Sequence, residues 1–193
     1  MKQICFVTGN KNKLQEIQQL LFSFKIISLH DLNFFDDIPE TENTIEGNAF
    51  LKANFINNKF NIDCFSDDTG LFIDSLDGLP GVKSARFAGE NSNSEENISL
   101  VLKSLENKKS RSATFKTVIC LIINNRKHFF EGSVPGTITE QKSGESGFGY
   151  DPIFIPFGYN KTFSEMTIEE KNLISHRSKA VQKLIKFLNS YEK

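Results

Sequence analysis

Short, dense apolar runs and longer stripes of apolar residues at helical spacing follow one another along this chain, which predicts strands and helices in succession. Ile4, Cys5, Phe6 and Val7 form a run too short for a helix and rich in β-formers, so residues 4–7 read as a buried strand. The run breaks at Thr8-Gly9-Asn10-Lys11-Asn12-Lys13, a loop, after which Leu14, Ile17, Leu21 and Phe24 recur at helical spacing. A second strand is predicted over 25–29, and residues 33–42 form a loop carrying Asp36, Asp37, Glu40 and Glu42. Asn43 with Glu46 makes a capping-box-like start to a helix whose stripe is Ile45, Ala49, Lys52, Ala53 and Ile56. The run at 62–65 ends in Ser66-Asp67-Asp68-Thr69-Gly70 before apolar character returns at Leu71-Phe72-Ile73, a strand edge loaded with charge.

Residues 77–89 are a long irregular segment punctuated by Gly and Pro. Ser92 with Glu95 caps a helix bearing Ile98, Leu102 and Leu105, which the polar residues 107–111 end. Residues 113–123 and 128–134, separated by Asn124-Asn125-Arg126-Lys127, read as a hairpin. Thr167 and Glu170 form a capping box, and Ser175-His176-Arg177 open a last helix with the stripe Val181, Leu184, Ile185 and Leu188. No internal repeat or low-complexity tract interrupts this series.

Composition narrows the class. A chain of 193 residues with 38% hydrophobic content supports one well-buried core, so residues 1–193 are expected to form one domain. The net charge of -1 gives no global attraction to nucleic acid or an anionic membrane, and anion binding must come from local placement of Lys and Arg. Cys5, Cys64 and Cys120 sit inside apolar runs without C-x-x-C spacing, as reduced core residues of a cytoplasmic protein do. No apolar run approaches a signal-peptide core or the roughly 20 residues of a membrane span.

Several segments carry candidate chemistry. The adjacent carboxylates of Asp67 and Asp68 repel, so burying both calls for a cation such as Mg²⁺, whereas an ordinary solvated acidic turn accounts equally for the same residues. The loop at 8–13 precedes a helix N-terminus and holds two lysines, which suits a phosphate cradle or a solvated turn; it lacks the G-x-x-x-x-G-K-[ST] pattern of a P-loop. Lys52, on an apolar stripe, either snorkels to the helix edge or reaches into a polar cleft. Residues 144–152, GESGFGYDP, combine three glycines with Phe148 and Tyr150, suited to stacking on a planar base or to a turn with its aromatics in the core. A cation at a helix N-terminus opposes the macrodipole, so Arg177 looks misplaced for stability and better placed for an anion or a carbonyl acceptor.

Five motifs then stand together: Thr8-Gly9-Asn10-x-x-Lys13, Ser66-Asp67-Asp68-Thr69-Gly70-Leu71, Gly78-Leu79-Pro80-Gly81-Val82-x-Ser84-Ala85-Arg86, Gly147-Phe148-Gly149-Tyr150-Asp151-Pro152-Ile153-Phe154 and Ser175-His176-Arg177. In order and rough spacing they resemble the inosine/xanthosine triphosphate pyrophosphatase family nearly end to end. The resemblance implies an α/β fold with an elongated mixed β-sheet, flanking helices and two lobes with the active-site cleft between them, in a single bilobed domain that forms a homodimer. It implies Mg²⁺-dependent hydrolysis of the deaminated purine nucleotides ITP, dITP and XTP to the monophosphate and pyrophosphate, removing them from the nucleotide pool, with no nucleic-acid or membrane partner.

Carried onto matching positions, Asp68 would be the catalytic carboxylate and, with Glu40, a metal ligand. Thr8, Gly9, Asn10, Lys11, Asn12 and Lys13 would hold the triphosphate, Lys52 and Lys171 would neutralise phosphate charge, and Thr69 would contact substrate. Phe148, Gly149, Tyr150 and Asp151 would pack on base and ribose, and His176 and Arg177 would read the base. Two departures stand out: Gly47 where many relatives carry Glu, and Lys83 where an aromatic is frequent. A catalytically silent nucleotide-binding protein on the same scaffold is the alternative, disfavoured because a pure binder has no need of a water-orienting carboxylate. A haloacid-dehalogenase-like phosphatase requires an Asp-x-Asp pair that Asp67-Asp68-Thr69 lacks.

Overall fold

In a computed structural model, residues 3–21, 24–90 and 93–191 are described. The strands are β1 (Gln3–Val7), β2 (Lys25–Ile27), β3 (Cys64–Ile73), β4 (Pro80–Gly81), β5 (Ser112–Ile123), β6 (Arg126–Ile138) and β7 (Phe154–Pro156). The helices are α1 (Lys11–Leu20), α2 (Ile45–Phe60), α3 (Ser94–Ser104), α4 (Ile168–Ile174) and α5 (His176–Tyr191). The strands form a mixed sheet in the order β2-β1-β3-β5-β6-β7, with β4 on β3. β1 runs parallel to β2 and β3, while β3–β4 and β6–β7 are antiparallel. Among the described residues no helix is long and apolar enough to cross a membrane.

The chain divides into two compact units: Met1–Asp68, Thr117–Gly132 and Arg177–Lys193 in the first, Thr69–Lys116 and Ser133–His176 in the second. The first unit explains why its strands read as unbroken apolar runs. Ile4, Phe6, Phe65, Ile119 and Leu121 join Ile17 of α1 and Val181, Leu184 and Leu188 of α5 in one cluster. Cys5, Val7, Cys64, Cys120 and Ile122, the alternate residues, join Ala49, Ala53 and Ile56 of α2 in another. A sheet buried on both faces has no polar face to alternate with. In the second unit Leu71, Ile73, Ile98, Val101, Phe115, Ile153, Phe154 and Phe163 form a single core.

Four expectations are corrected. β3 does not end at the acidic residues: Cys64–Ile73 is one strand, so Asp67 and Asp68 lie mid-strand and buried rather than in a turn. α1 starts at Lys11, because the Asn10 side chain caps it by accepting from the backbone N–H of Asn12 (2.9 Å) and Lys13 (3.2 Å). α2 is capped by Thr44, whose hydroxyl accepts from Gly47 N at 3.0 Å, rather than by an Asn43–Glu46 box. The hairpin turn is only Asn124-Asn125, with φ of 48 and 59°, the pair of positive values that a two-residue type I′ turn requires, so β6 begins at Arg126. The expected cap Ser92 lies outside the described residues; Asn93 caps α3, accepting from Glu95 N and Glu96 N. The Thr167–Glu170 capping box is present.

Candidate active site

Consecutive side chains of a strand point to opposite faces, so mid-strand placement separates the two aspartates. Asp67 meets cations: its Oδ1 accepts from Lys13 Nζ at 3.0 Å and its Oδ2 from Arg177 Nε at 3.2 Å. Burial alone would raise its pKa, but Lys13, Arg177 and Lys52 outweigh burial and hold the carboxyl well below the usual carboxylate range. Arg177 is 2% exposed, and its Nη1 donates to Glu16 of α1. Burial opposes the guanidinium charge, yet Glu16 and Asp67 outweigh it and raise the pKa. The argument that Arg177 is misplaced for stability is thereby overturned, since its counter-ions lie 161 and 110 positions away in the chain, beyond any local pattern. Burial pushes the pKa of Lys13 below the usual lysine value despite Asp67.

Asp68 has different company. Its Oδ2 accepts from the side-chain amide of Asn48 at 3.2 Å, and its Oδ1 lies 4.0 Å from Lys52 Nζ. Lys52 resolves its open alternative by reaching inward: Nζ donates to the Glu40 carboxylate and, at 2.8 Å, to the backbone oxygen of Asp67. Burial works against its charge, but Asp68, Glu40 and Asp67 together raise its pKa. Asn48, 1% exposed, also accepts from Glu42 N at 2.9 Å. Gly47 lets that loop lie close, because a Cβ there would come within 2.8 Å of Glu42 Cβ. Among the described residues this first-unit cluster sets Lys13, Lys52 and Arg177 against Glu16, Glu40, Asp67 and Asp68.

The 8–13 segment also belongs to the first unit. Thr8 Oγ1 accepts from Asn10 N at 3.1 Å, so side chains of the segment already serve the N–H groups of residues 10, 12 and 13. Gly9, Asn10, Lys11 and Asn12 are exposed, Thr8 and Lys13 half-buried. No group of three or more His, Cys, Asp or Glu side chains arranged to hold a metal ion occurs among the described residues.

The remaining candidates lie in the second unit. Asp151 and Lys171 are an ion pair of 2.7 Å, both buried, and the same Asp151 Oδ2 accepts from Phe148 N at 2.8 Å. Gly147, at φ 80°, has no room for a Cβ, which would sit 2.3 Å from that oxygen. Lys171 Nζ lies over the half-buried Phe148 ring, 4.9 Å from its centroid. Tyr150 is not available to present a ring face: it is 5% exposed in the core and its hydroxyl donates to Ser84 O at 2.8 Å. Gly149 and Thr69 are half-buried, and His176 is stacked on Phe115 with ring centroids 4.5 Å apart.

Pattern reading missed Glu16 and Asn48. Asn48 was detectable as a polar residue three positions after Ile45 and four before Lys52, on the buried stripe of α2. Glu16, next to the buried Ile17, carried a weaker signal of the same kind.

The model of the Ham1 family matches residues 4–187. The chain is 53% identical over 189 residues to a dITP/XTP pyrophosphatase of Flavobacterium johnsoniae, covering 97% of this chain and 98% of that protein. It is 47% identical over 190 residues to the dITP/XTP pyrophosphatase of Porphyromonas gingivalis, with 97% and 98% covered. Among solved structures, the Staphylococcus aureus Ham1 protein superposes with a TM-score of 0.90 at 37% identity over 100% of both chains. A HAM1 protein from Coxiella burnetii gives 0.91 at 36% identity, covering 98% of this chain and 100% of that one. A family match over nearly the whole chain, joined to close relatives of the same length and the same fold, establishes that this chain belongs to the Ham1 family.

Proposed function

We infer that this chain hydrolyses deaminated purine nucleoside triphosphates, ITP, dITP and XTP, to the nucleoside monophosphate and pyrophosphate, with Asp68 acting on the attacking water. The carrying observation is the division of labour between neighbouring aspartates: Asp67 is neutralised by Lys13 and Arg177, while Asp68 faces an amide, Lys52 and, through Lys52, Glu40. Relatives named dITP/XTP pyrophosphatase support the substrate class.

Phosphoryl transfer needs an aligned water and neutralisation of charge on the transferred group. Asp68 supplies the carboxylate that accepts the water's proton. Lys13 and Lys52 bind phosphate oxygens, which compete with Asp67 and Glu40 for the same ammonium donors. Lys171, Thr69 and the 8–13 segment complete the substrate-binding set. Glu40 and Asp68 fit a magnesium site: both are hard oxygen donors, Mg²⁺ is usually held by one or two carboxylates plus substrate phosphates, and Lys52 Nζ already places a cation beside both groups. Bound there, the ion would supply charge stabilisation to the phosphoryl oxygens.

For the base, Phe148 offers its ring and His176 with Arg177 read its edge. Glu16 and Asp67 fix the Arg177 guanidinium, and an oriented donor-only fork suits the six-carbonyl of hypoxanthine or xanthine. Adenine presents an amino group there and meets donor against donor. We extend the proposal to a homodimer in the cytoplasm, which light scattering and cell fractionation test. The activity is tested with ITP and Mg²⁺: pyrophosphate should appear with IMP. Orthophosphate as the first product would overturn the reading, and ITP bound without turnover would identify a silent binder.

A further inference from the structure

We propose that Asn48 is a positioning residue for this reaction, its side-chain amide orienting the Asp68 carboxylate and tying the acidic loop to it. The inference rests on the assignment of Asp68 made above. Asn48 is 1% exposed inside α2, where asparagine is a poor helix former, so the helix itself gives no reason for it. Its two contacts define its orientation. The backbone N–H of Glu42 can only donate, so the amide oxygen must face it, as it does at 2.9 Å. The amide nitrogen is then turned to Asp68 Oδ2, at 3.2 Å, and an ionised carboxylate can only accept.

Two consequences follow for the site. The two Asp68 oxygens become inequivalent: Oδ2 receives the amide, and Oδ1 is the one turned toward Lys52 at 4.0 Å. Asn48 and Lys52 are also one helical turn apart, so the loop closes on one helix face twice, through Glu42 N on Asn48 and the Glu40 carboxylate on Lys52. One short planar group thereby sets both the reacting carboxylate and the approach of Glu40.

The substitution Asn48→Asp keeps the acceptor for Glu42 N, but it loses the amide donor to Asp68 and sets a second carboxyl against it, so it is read beside an uncharged variant. Asn48→Leu loses both. If Asn48 positions Asp68, both variants lose kcat on ITP by about 10- to 100-fold, and KM stays unchanged, as expected for an interaction needed in the transition state. If either variant keeps its kcat, the amide donor is not needed at Asp68 and the proposal is overturned. A second measurement needs no Asn48 variant to fold: the side-chain NH₂ resonances of Asn48, in free protein, should shift and exchange faster in Asp68→Ala. Unchanged resonances would overturn the proposal as well. Normal kcat in Asn48→Asp beside an inactive Asp68→Asn removes this inference alone, whereas an active Asp68→Asn removes the functional assignment of Asp68 and this inference with it.

Discussion

The two units each bury charge, and they do so in different ways. In the first, Asp67 accepts from both Lys13 and Arg177, Arg177 donates to both Asp67 and Glu16, and Lys52 stands near Glu40 and Asp68. In the second, one oxygen of Asp151 serves Lys171 and the Phe148 N–H, against a glycine that leaves no room for a side chain. A buried carboxylate stripped of its counter-ion is costly. In the shared network Asp67 keeps Arg177 when Lys13 turns away, which under the proposed function lets a triphosphate enter without stranding a charge. The Asp151–Lys171 pair instead lies against the Phe148 ring, with Lys171 Nζ 4.9 Å from its centroid. Exchangeable charge suits the phosphate-binding role proposed for the first-unit cluster, and a cation held against a ring suits the base-packing role proposed for Phe148.

The sharpest way to break this comparison is to remove one carboxylate from each cluster. Asp68→Asn should lower kcat on ITP by about 10²- to 10⁴-fold, the usual range for loss of a general base, with ITP binding and melting temperature retained. Near-normal turnover would end the assignment. Asp151→Asn should act on stability, costing about 3–5 kcal/mol in denaturant unfolding as a buried pair is broken. Glu16→Gln should cost less than Asp151→Asn, because Arg177 keeps Asp67; equal costs would mean the first-unit network has no redundancy.

Smaller effects sharpen the picture within the first unit. Arg177→Ala should narrow the ITP-to-ATP ratio of kcat/KM by about tenfold, since a good bidentate contact to a base discriminates by about 1–3 kcal/mol. Lys13→Ala and Lys52→Ala should raise KM for both nucleotides and leave that ratio alone, because phosphates carry no base information. A lysine variant that altered the ratio, or an arginine variant that did not, would redistribute these roles. The smallest expected signal is none at all. Cys5 and Cys120 are wholly buried and burial pushes both thiols up to about 12, so the native protein should show no reaction with a thiol reagent at these positions until it is unfolded.

Helices and strands were legible wherever the buried face was continuous, as at 4–7 or along the stripe from Val181 to Leu188. Boundaries were misread where a single side chain decides them: Asn10 extends α1 backward, Thr44 moves the start of α2, and Asn124-Asn125 shorten the hairpin turn. The acidic stretch was misread most. Charge in a sequence suggests solvent, yet β3 continues through Asp67 and Asp68 because cations from α1, α2 and α5 reach them inside the first unit.

By itself the sequence determined the order of the main elements, the buried free cysteines and, through five motifs in series, the family. Only the tertiary structure decided that Asp67 meets Lys13 and Arg177 while Asp68 meets the Asn48 amide, that Tyr150 is core, and that Glu16 and Asn48 join the buried charged cluster. The physical reason is distance along the chain. Hydrophobic periodicity is set by neighbours three or four residues apart, whereas ion pairs such as Glu16–Arg177 join groups 161 residues apart, where no local pattern records the partner.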